Sequence, residues 1–360
     1  MHVSVSSPLP WALVGFGSGG RVFHAPLIAS ADRLNLVAVV TTDPQRRAQV
    51  AASLPGARCV VDLAAAAAAG AVGVTISTPP ATHLPLALEA IRLGLHLVVD
   101  KPFALDLAGA RRIADAADAA GVAVFPYFNR RWDDDFLTVR ARTREGRLGT
   151  VQQFESRLDR SRPVKEGWSS DPAHGGGLLL DLGPHLVDQA LLLLGPAVSV
   201  GARLDTVRDG AGAEDGVILD LMHESGARSV LSASLAAPAA GPRFLVQGSA
   251  GGVRIEGFDG QEAQLKAGRS PRSVGAAWGV ESHRVAVVHT VDGATTELPL
   301  EPGRWDTFYP AVAAALAETA AAPTAVGDAI AVARVLDAAR VASARGCRVS
   351  LTGDDAGSAA

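Results

Sequence analysis

Three residues have the chemistry to move a proton beside a reacting hydroxyl: Lys101, Asp181 and His185. Lys101 closes the apolar run His96–Asp100, which reads as a strand, and Pro102 follows it. A lysine at the carboxyl end of a parallel strand lies where open α/β sheets bind ligands. There it can donate a hydrogen bond to a reacting oxygen and stabilise developing alkoxide charge, and desolvation can bring the pKa of a lysine so placed into a useful range. Asp181 and His185 stand four residues apart in a segment that reads as helix, so both side chains leave one face. A carboxylate beside an imidazole fixes the ring and raises its basicity, which removal of a hydroxyl proton requires. Pro184 either interrupts that helix or marks its true start; in the second case the pair still converges, without strict helix spacing. His24 reads as part of a structural shell, and His83 as a helix cap or as packing on the cofactor side.

A second group of residues points to a dinucleotide. The run Trp11–Val14 leads into Gly15-Phe16-Gly17-Ser18-Gly19-Gly20, a G-x-G-x-x-G between a strand and a helix. Gly15 permits the tight turn, Gly17 lets backbone approach a pyrophosphate, and Gly20 lets the helix pack close to the strand. The helix N-terminus then offers free N–H groups and partial positive charge to the phosphates. An NAD site usually has an acid at the end of the second strand, bonded to the adenosine ribose. Here Leu36–Val40 ends in Thr41-Thr42-Asp43, and Asp43 has a competing role as cap of a helix that starts at Pro44. Two hydroxyls, with Arg46 and Arg47 on the next turn, suit a 2′-phosphate, so NADP is expected over NAD.

The elements that must position these groups fall into two styles. Residues 11–127 alternate short apolar runs with helical stretches, the pattern of a parallel sheet covered on both faces. The strands are expected at Trp11–Phe16, Leu36–Thr41, Arg58–Val61, Val72–Ser77, His96–Asp100 and Val122–Tyr127. Leu84–Leu93 and Leu107–Ala120 read as helices between them, and the alanine run Ala64–Ala69 as a plain surface helix. Beyond residue 130 a helix Asp133–Glu145, a strand Val151–Arg157 and an irregular stretch Leu158–Gly177 precede a leucine-rich helix, Leu178–Leu194. Five strand-like runs follow without helices between them: Ser199–Asp205, Val217–His223, Ser229–Ala236, Phe244–Gly248 and Gly252–Glu256. Turns at Glu224-Ser225-Gly226 and Ala250-Gly251 imply antiparallel pairing. Helices over Trp305–Ala321 and Gly327–Arg345 close the chain, ahead of a small, acidic tail expected to fray.

Composition excludes several function classes. A length of 360 residues suits two cores, and 48% hydrophobic against 19% charged residues rules out wholesale disorder. A net charge of −4 argues against nucleic acid as the main partner. Cys59 and Cys347 are too far apart for a metal motif, so no metal is expected, and Cys59 reads as a buried small hydrophobe. No basic stretch leads into an apolar core near the start, and no apolar run reaches membrane-spanning length. The expectation is a soluble, cytoplasmic protein.

The order of the motifs is more specific than any one of them. Phe23-His24-Ala25-Pro26 follows the glycine turn, Ser77-Thr78-Pro79-Pro80 with His83 ends the fourth strand, and Asp100-Lys101-Pro102-Phe103 ends the fifth. Asn129-Arg130-Arg131-Trp132 follows the sixth, and Gly175-Gly176-Gly177 leads to Asp181 and His185. In this order the chain resembles the Gfo/Idh/MocA oxidoreductases from Trp11 to about Val349, most of all the subgroup with NADP-dependent scyllo-inositol dehydrogenases. The resemblance implies an N-terminal Rossmann domain over 1–128, and an α/β domain with a large, mostly antiparallel open sheet over 129–350. A flexible tail would then occupy 351–360. It implies hydride transfer between NADP or NAD and a secondary hydroxyl or ketone of a cyclic polyol or sugar. Catalysis falls to Lys101, Asp181 and His185, with His185 as base, or as acid in reverse, and Asp181 bound to a substrate hydroxyl. Cofactor contacts fall to Gly15, Phe16, Gly17, Gly20, Arg21, Val22, Thr41, Thr42, Arg46, Ser77, Thr78, Pro79, His83, Asp100, Lys101 and Asn129. Substrate contacts fall to Lys101, Tyr127, Arg130, Arg160, Trp168, Asp181 and His185, with Arg162 and Lys165 in the same segment. A homodimer or homotetramer through the sheet face is implied as well. Phe128 and Leu180 depart from the subgroup, which commonly has a polar residue and an aromatic there; both weaken the transfer of substrate identity and leave the hydride-transfer chemistry untouched. Two other readings remain: a glycosidase using tightly held NAD for transient oxidation, and a non-catalytic dinucleotide sensor.

Overall fold

A computed structural model describes residues 7–164 and 167–352. The first part of the chain builds β1 (Leu9–Val14), β2 (Leu34–Val40), β3 (Arg58–Val60), β4 (Gly73–Ile76), β5 (His96–Asp100) and β6 (Val124–Tyr127). Between them run α1 (Ala25–Ala29), α2 (Pro44–Ser53), α3 (Leu63–Ala68), α4 (His83–Arg92) and α5 (Leu107–Ala120). All six strands are parallel, in the order β3-β2-β1-β4-β5-β6. The order reverses between β1 and β4, so a crevice opens at their carboxyl ends, the usual ligand site of such sheets. Three of these helices, α2, α3 and α5, start where an aspartate caps them. Asp43 accepts from the amides of Gln45 and Arg46, Asp62 from Ala65, and Asp106 from Gly109. Ala66 of the alanine helix is fully buried, so α3 contributes to the core and does not lie wholly on the surface. Cys59 is half-buried at the outermost strand.

The remainder builds α6 (Asp134–Arg144), β7 (Val151–Asp159), α7 (Leu178–Asp181), α8 (Gly183–Leu194), β8 (Ala197–Asp205), β9 (Gly216–His223) and β10 (Arg228–Ser234). Then come β11 (Phe244–Gly248), β12 (Gly251–Ile255), α9 (Gln261–Lys266), α10 (Pro271–Val274), β13 (Val285–Thr290) and β14 (Thr295–Pro299). The last elements are α11 (Phe308–Leu316), α12 (Val326–Arg345) and β15 (Val349–Ser350). Nine strands form one sheet, ordered β14-β13-β12-β11-β7-β10-β9-β8-β15. Only β7 and β10 pair in parallel; the other neighbours are antiparallel. Burial alternates along β7 and β10, with α8 packed on them and α12 on β8.

Three expectations change. The helix expected at Leu178–Leu194 breaks into α7 and α8, the segment Pro172–Asp181 meeting Gly183–Leu194 at 45°, with Pro184 in the first turn of α8. Proline lacks an amide hydrogen, which costs nothing in a first turn. The helix expected at Trp305–Ala321 is a 3₁₀ turn, Trp305–Thr307, followed by α11, and Glu318 beyond it takes a φ of 56°. Finally, α9, α10, β13 and β14 form within a stretch that carried no assignment.

Packing also crosses the line expected at residue 128. One core joins Trp11, Leu13 and Val39 of the parallel sheet to Leu265, Trp278, Trp305, Phe308, Tyr309 and Val312. The C-terminal α11 therefore closes one face of the Rossmann sheet. Leu351 is buried and its amide donates to Val198 O, so the packed chain runs past 350. Lys165 and the residues from 353 onward lie outside the described residues.

Candidate active site

The site begins at the glycine turn. Gly15 has a φ of +90°, and a Cβ there would stand 2.3 Å from Ser77 O. A Cβ on Gly20 would stand 2.1 Å from Gly15 O, and one on Gly19 2.5 Å from Ser77 Oγ. The turn is thus pressed against the end of β4 as closely as backbone allows. At Gly17 the nearest group to a Cβ is the Arg46 guanidinium at 4.0 Å, so a side chain would fill the cleft there. The chain leaves the turn as one π-helical stretch, Gly19–His24, before α1 begins.

Asp100 ends β5 beside the turn. Its carboxylate accepts from the Lys101 amide (2.8 Å) and Ser77 Oγ (3.0 Å), and pairs with His24 Nε2 at 3.1 Å. Burial pushes its pKa up, but His24 and Lys101 outweigh burial and hold it at about 2. Behind it, His24 Nδ1 meets Tyr309 Oη at 2.7 Å, Tyr309 Oη meets Thr75 Oγ1 at 3.0 Å, and Trp11 Nε1 donates to Thr75 at 2.9 Å. A buried hydrogen-bonded chain thus ties the cleft wall to α11. His83 is fully buried between Thr78 O (2.9 Å) and Pro102 O (2.8 Å), where its ring pins the β4 and β5 loops together.

Lys101 Nζ donates to Asp181 Oδ1 at 2.6 Å and to Asp181 O at 2.8 Å. The carboxylate expected to serve His185 therefore serves the lysine. The break at Leu182 separates the two side chains onto different helices and removes the shared face. His185 is 4% exposed, and its Nδ1 has no partner among the described residues. Burial, then Arg130, Lys101, Arg243 and Arg160, push its pKa well below the ordinary histidine value, so the ring is neutral and able to take a proton.

The facing wall comes from β6, β7 and α9. Tyr127 is buried with a hydroxyl that has no partner among the described residues, its ring 4.4 Å from that of His24. Arg130 donates to Asp133 (3.0 Å) and Glu262 (3.3 Å), and Arg160 lies over the Phe258 ring. Trp168 is half exposed at the mouth. Together these groups enclose a cleft of about 480 Å³. Of the expected residues, Gly15, Gly17, Arg46, Ser77, Thr78, Pro79, Asp100, Lys101, Tyr127, Asn129, Arg130, Arg160, Trp168, Asp181 and His185 line it. Phe16, Gly20, Arg21, Val22, Thr41, Thr42 and His83 do not; Phe16, Gly20, Thr41 and His83 are buried behind the wall. Arg47 is turned back onto Thr41 O at 3.4 Å, so Arg46 is the arginine of that pair at the cleft. Glu262, Phe23 and Trp305 line the cleft without having been anticipated. Phe23 stood in a quoted motif, whereas nothing in the pattern around Glu262 marked a helix.

Residues 9–128 match the oxidoreductase family with the NAD-binding Rossmann fold, and residues 136–254 match the GFO/IDH/MocA C-terminal domain. The chain belongs to the GFO/IDH/MocA family. It is an NAD(P)-binding oxidoreductase of that family. The uncharacterized oxidoreductase YdgJ of Escherichia coli is 35% identical over 341 residues, covering 90% of this chain and 93% of that protein. The NADP(+) scyllo-inositol 2-dehydrogenase IolW of Bacillus subtilis is 31% identical, covering 92% of each. A solved structure from Klebsiella pneumoniae matches with a TM-score of 0.87 at 35% identity, covering 97% of this chain and 96% of that one. Within the family fold, the glycine turn and Lys101 come from the Rossmann part and Asp181 and His185 from the C-terminal domain, while Glu262 of α9 lies just beyond the matched residues.

Proposed function

We propose that the cleft transfers a hydride between a nicotinamide dinucleotide, NADP in preference to NAD, and a secondary hydroxyl or ketone of a cyclic polyol or sugar. The observation that carries this reading is the convergence of Lys101, Asp181 and His185 in one cleft with the glycine turn. The residues fit a dinucleotide. Gly17 leaves open the space a side chain would fill, and the buried Tyr127 hydroxyl has no partner among the described residues. Gly15, Gly17, Ser77, Thr78 and Asp100 would hold it, with Arg46 toward a 2′-phosphate. When bound, the nicotinamide supplies the hydride chemistry.

The chain's own groups do the rest. In oxidation the substrate C–H loses hydride, the O–H loses its proton to neutral His185, and a ketone remains. Lys101 Nζ donates to the substrate oxygen and stabilises alkoxide charge as it develops. Asp181 orients that ammonium and is open at the mouth to accept from a second hydroxyl. In reduction the same groups run backward, with His185 protonated.

The names of relatives such as IolW support a polyol substrate. The test is reduced-nicotinamide absorbance with inositols, aldoses and linear polyols, each with NAD and with NADP. Turnover with one cofactor and one hydroxyl pattern supports the reading. Dinucleotide binding without turnover would sink it in favour of a sensor, and glycoside cleavage without net reduction would favour a glycosidase.

A further inference from the structure

Arg160 is the least committed cation on the inner wall of the cleft, away from Arg46 at its dinucleotide end. Its amide donates to Ser234 O at 2.8 Å, which fixes its backbone just beyond β7, against β10. Its guanidinium lies over the Phe258 ring, 5.1 Å from the centroid, with the side chain 22% exposed. Its nearest carboxylate oxygen, on Glu262, is 3.6 Å away. That same carboxylate already serves Arg130 at 3.3 Å and Lys266 at 2.5 Å. The other cations of the inner wall hold closer partners: Lys101 has Asp181 at 2.6 Å, and Arg130 has Asp133 at 3.0 Å. A guanidinium presents five donors in a planar fork that matches a carboxylate, and neutral hydroxyls use that fork weakly. After burial, the groups that act most strongly on His185 are Arg130, Lys101, Arg243 and Arg160, so Arg160 faces the same interior as the reacting groups.

We propose that Arg160 seats a carboxylate on the substrate, so that the cleft takes a sugar acid or acidic cyclitol in preference to its neutral counterpart. This rests on the hydride-transfer reading above and names its substrate class. The carboxylate is a handle: it is neither oxidised nor reduced, and the reacting hydroxyl lies elsewhere on the ring, beside Lys101 and His185.

The test uses matched pairs that differ only at C6, D-glucuronate against D-glucose and D-galacturonate against D-galactose, with glucose 6-phosphate as a phosphate arm. The expected result is a kcat/KM for at least one uronate about 30-fold above its aldose, as a charge-assisted bidentate contact allows. Arg160→Gln then lowers that ratio about tenfold or more, and Arg160→Lys restores part of it. Equal kcat/KM within both pairs overturns the proposal, as does an Arg160→Gln variant that loses activity on acid and aldose in parallel. A preference for glucose 6-phosphate without one for either uronate also overturns the carboxylate assignment. Melting of the dinucleotide-loaded protein separates the two ideas. Protection by a uronate but not its aldose, lost in Arg160→Gln, supports the carboxylate seat even without turnover, and then only the hydride-transfer reading fails. Neither turnover nor protection ends both.

Discussion

At the scale of single residues, the division of labour between Lys101 and His185 makes separable predictions. His185 is buried, and the cations around it keep the ring neutral far below pH 6.5. A base works only above its pKa, so the acid limb of kcat/KM for oxidation should lie below the ordinary histidine range. A pH–rate profile with an acid limb at or above 6.5 would assign the base elsewhere. His185→Ala should lower turnover on the best substrate by about 10²–10⁴, the range for loss of a positioned general base. A loss of only a few-fold would remove it from the chemistry. Lys101→Met removes the donor to the developing alkoxide and should cost about 10²–10³ in kcat. It also leaves Asp181 without its 2.6 Å partner, so measuring KM beside kcat separates lost catalysis from lost binding. The residue types for this chemistry were legible in the sequence, as was the glycine turn. The pairing was not: Asp181 and His185 share a helical face only if the helix continues, and the bend at Leu182 sends Asp181 to Lys101.

At the scale of elements, the glycine turn and α11 carry the site. Gly15→Ala would place a Cβ 2.3 Å from a backbone carbonyl at a φ of +90°, so neither space nor conformation admits it. The expected outcome is loss of dinucleotide affinity together with destabilisation of more than about 1 kcal/mol, read by cofactor titration and urea unfolding. Tyr309 is the second anchor. Its hydroxyl joins His24 and Thr75, so Tyr309→Phe leaves both buried groups short of a partner and should cost about 1–3 kcal/mol. An unchanged urea midpoint would show that α11 docks by packing alone. The parallel strands could be read because they are short apolar runs buried on both faces. The outer strands β13 and β14 could not, since β14, Thr-Thr-Glu-Leu-Pro, is polar and largely exposed and carries no alternating pattern. The return of α11 onto the Rossmann sheet is a contact between residues more than 200 positions apart in the chain, as with Thr75 and Tyr309, and periodicity does not encode it. Glu262 was missed for a related reason: α9 spans only Gln261–Lys266, too short to show helical spacing.

At the scale of the whole molecule, a buried knot of charge joins the two parts of the chain. Asp133, Asp134, Asp135 and Asp259 are buried among Arg130, Arg243 and Arg284. Asp133 also accepts from the Trp305 indole at 2.8 Å, which ties the start of α6 to the segment that leads into α11. Burial and the neighbouring carboxylates raise Asp133 to about 8 and Asp259 to about 7, against the pull of Arg130 on Asp133. A carboxyl whose folded pKa is raised holds its proton in the folded state and loses it in the unfolded one. Its contribution is complete below about pH 4 and disappears as pH climbs through the folded value. Asp100 and Glu262, both held at about 2, act in the opposite sense. Their contribution is present above about pH 4 and is lost only as pH falls toward 2. The two sets overlap in mildly acidic solution, so stability should peak near pH 4–5 and fall between pH 5 and 8, by on the order of 1 kcal/mol per pH unit for each raised group. Thermal melts across that range check the slope, and Asp259→Asn should flatten it by removing one titration while keeping the side chain's shape. A melting temperature that rises from pH 5 to pH 8 would mean that the knot is ionised throughout. The arginines would then hold the carboxylates as anions, and ion pairs would add to the Trp305 hydrogen bond and the shared core in joining the two parts.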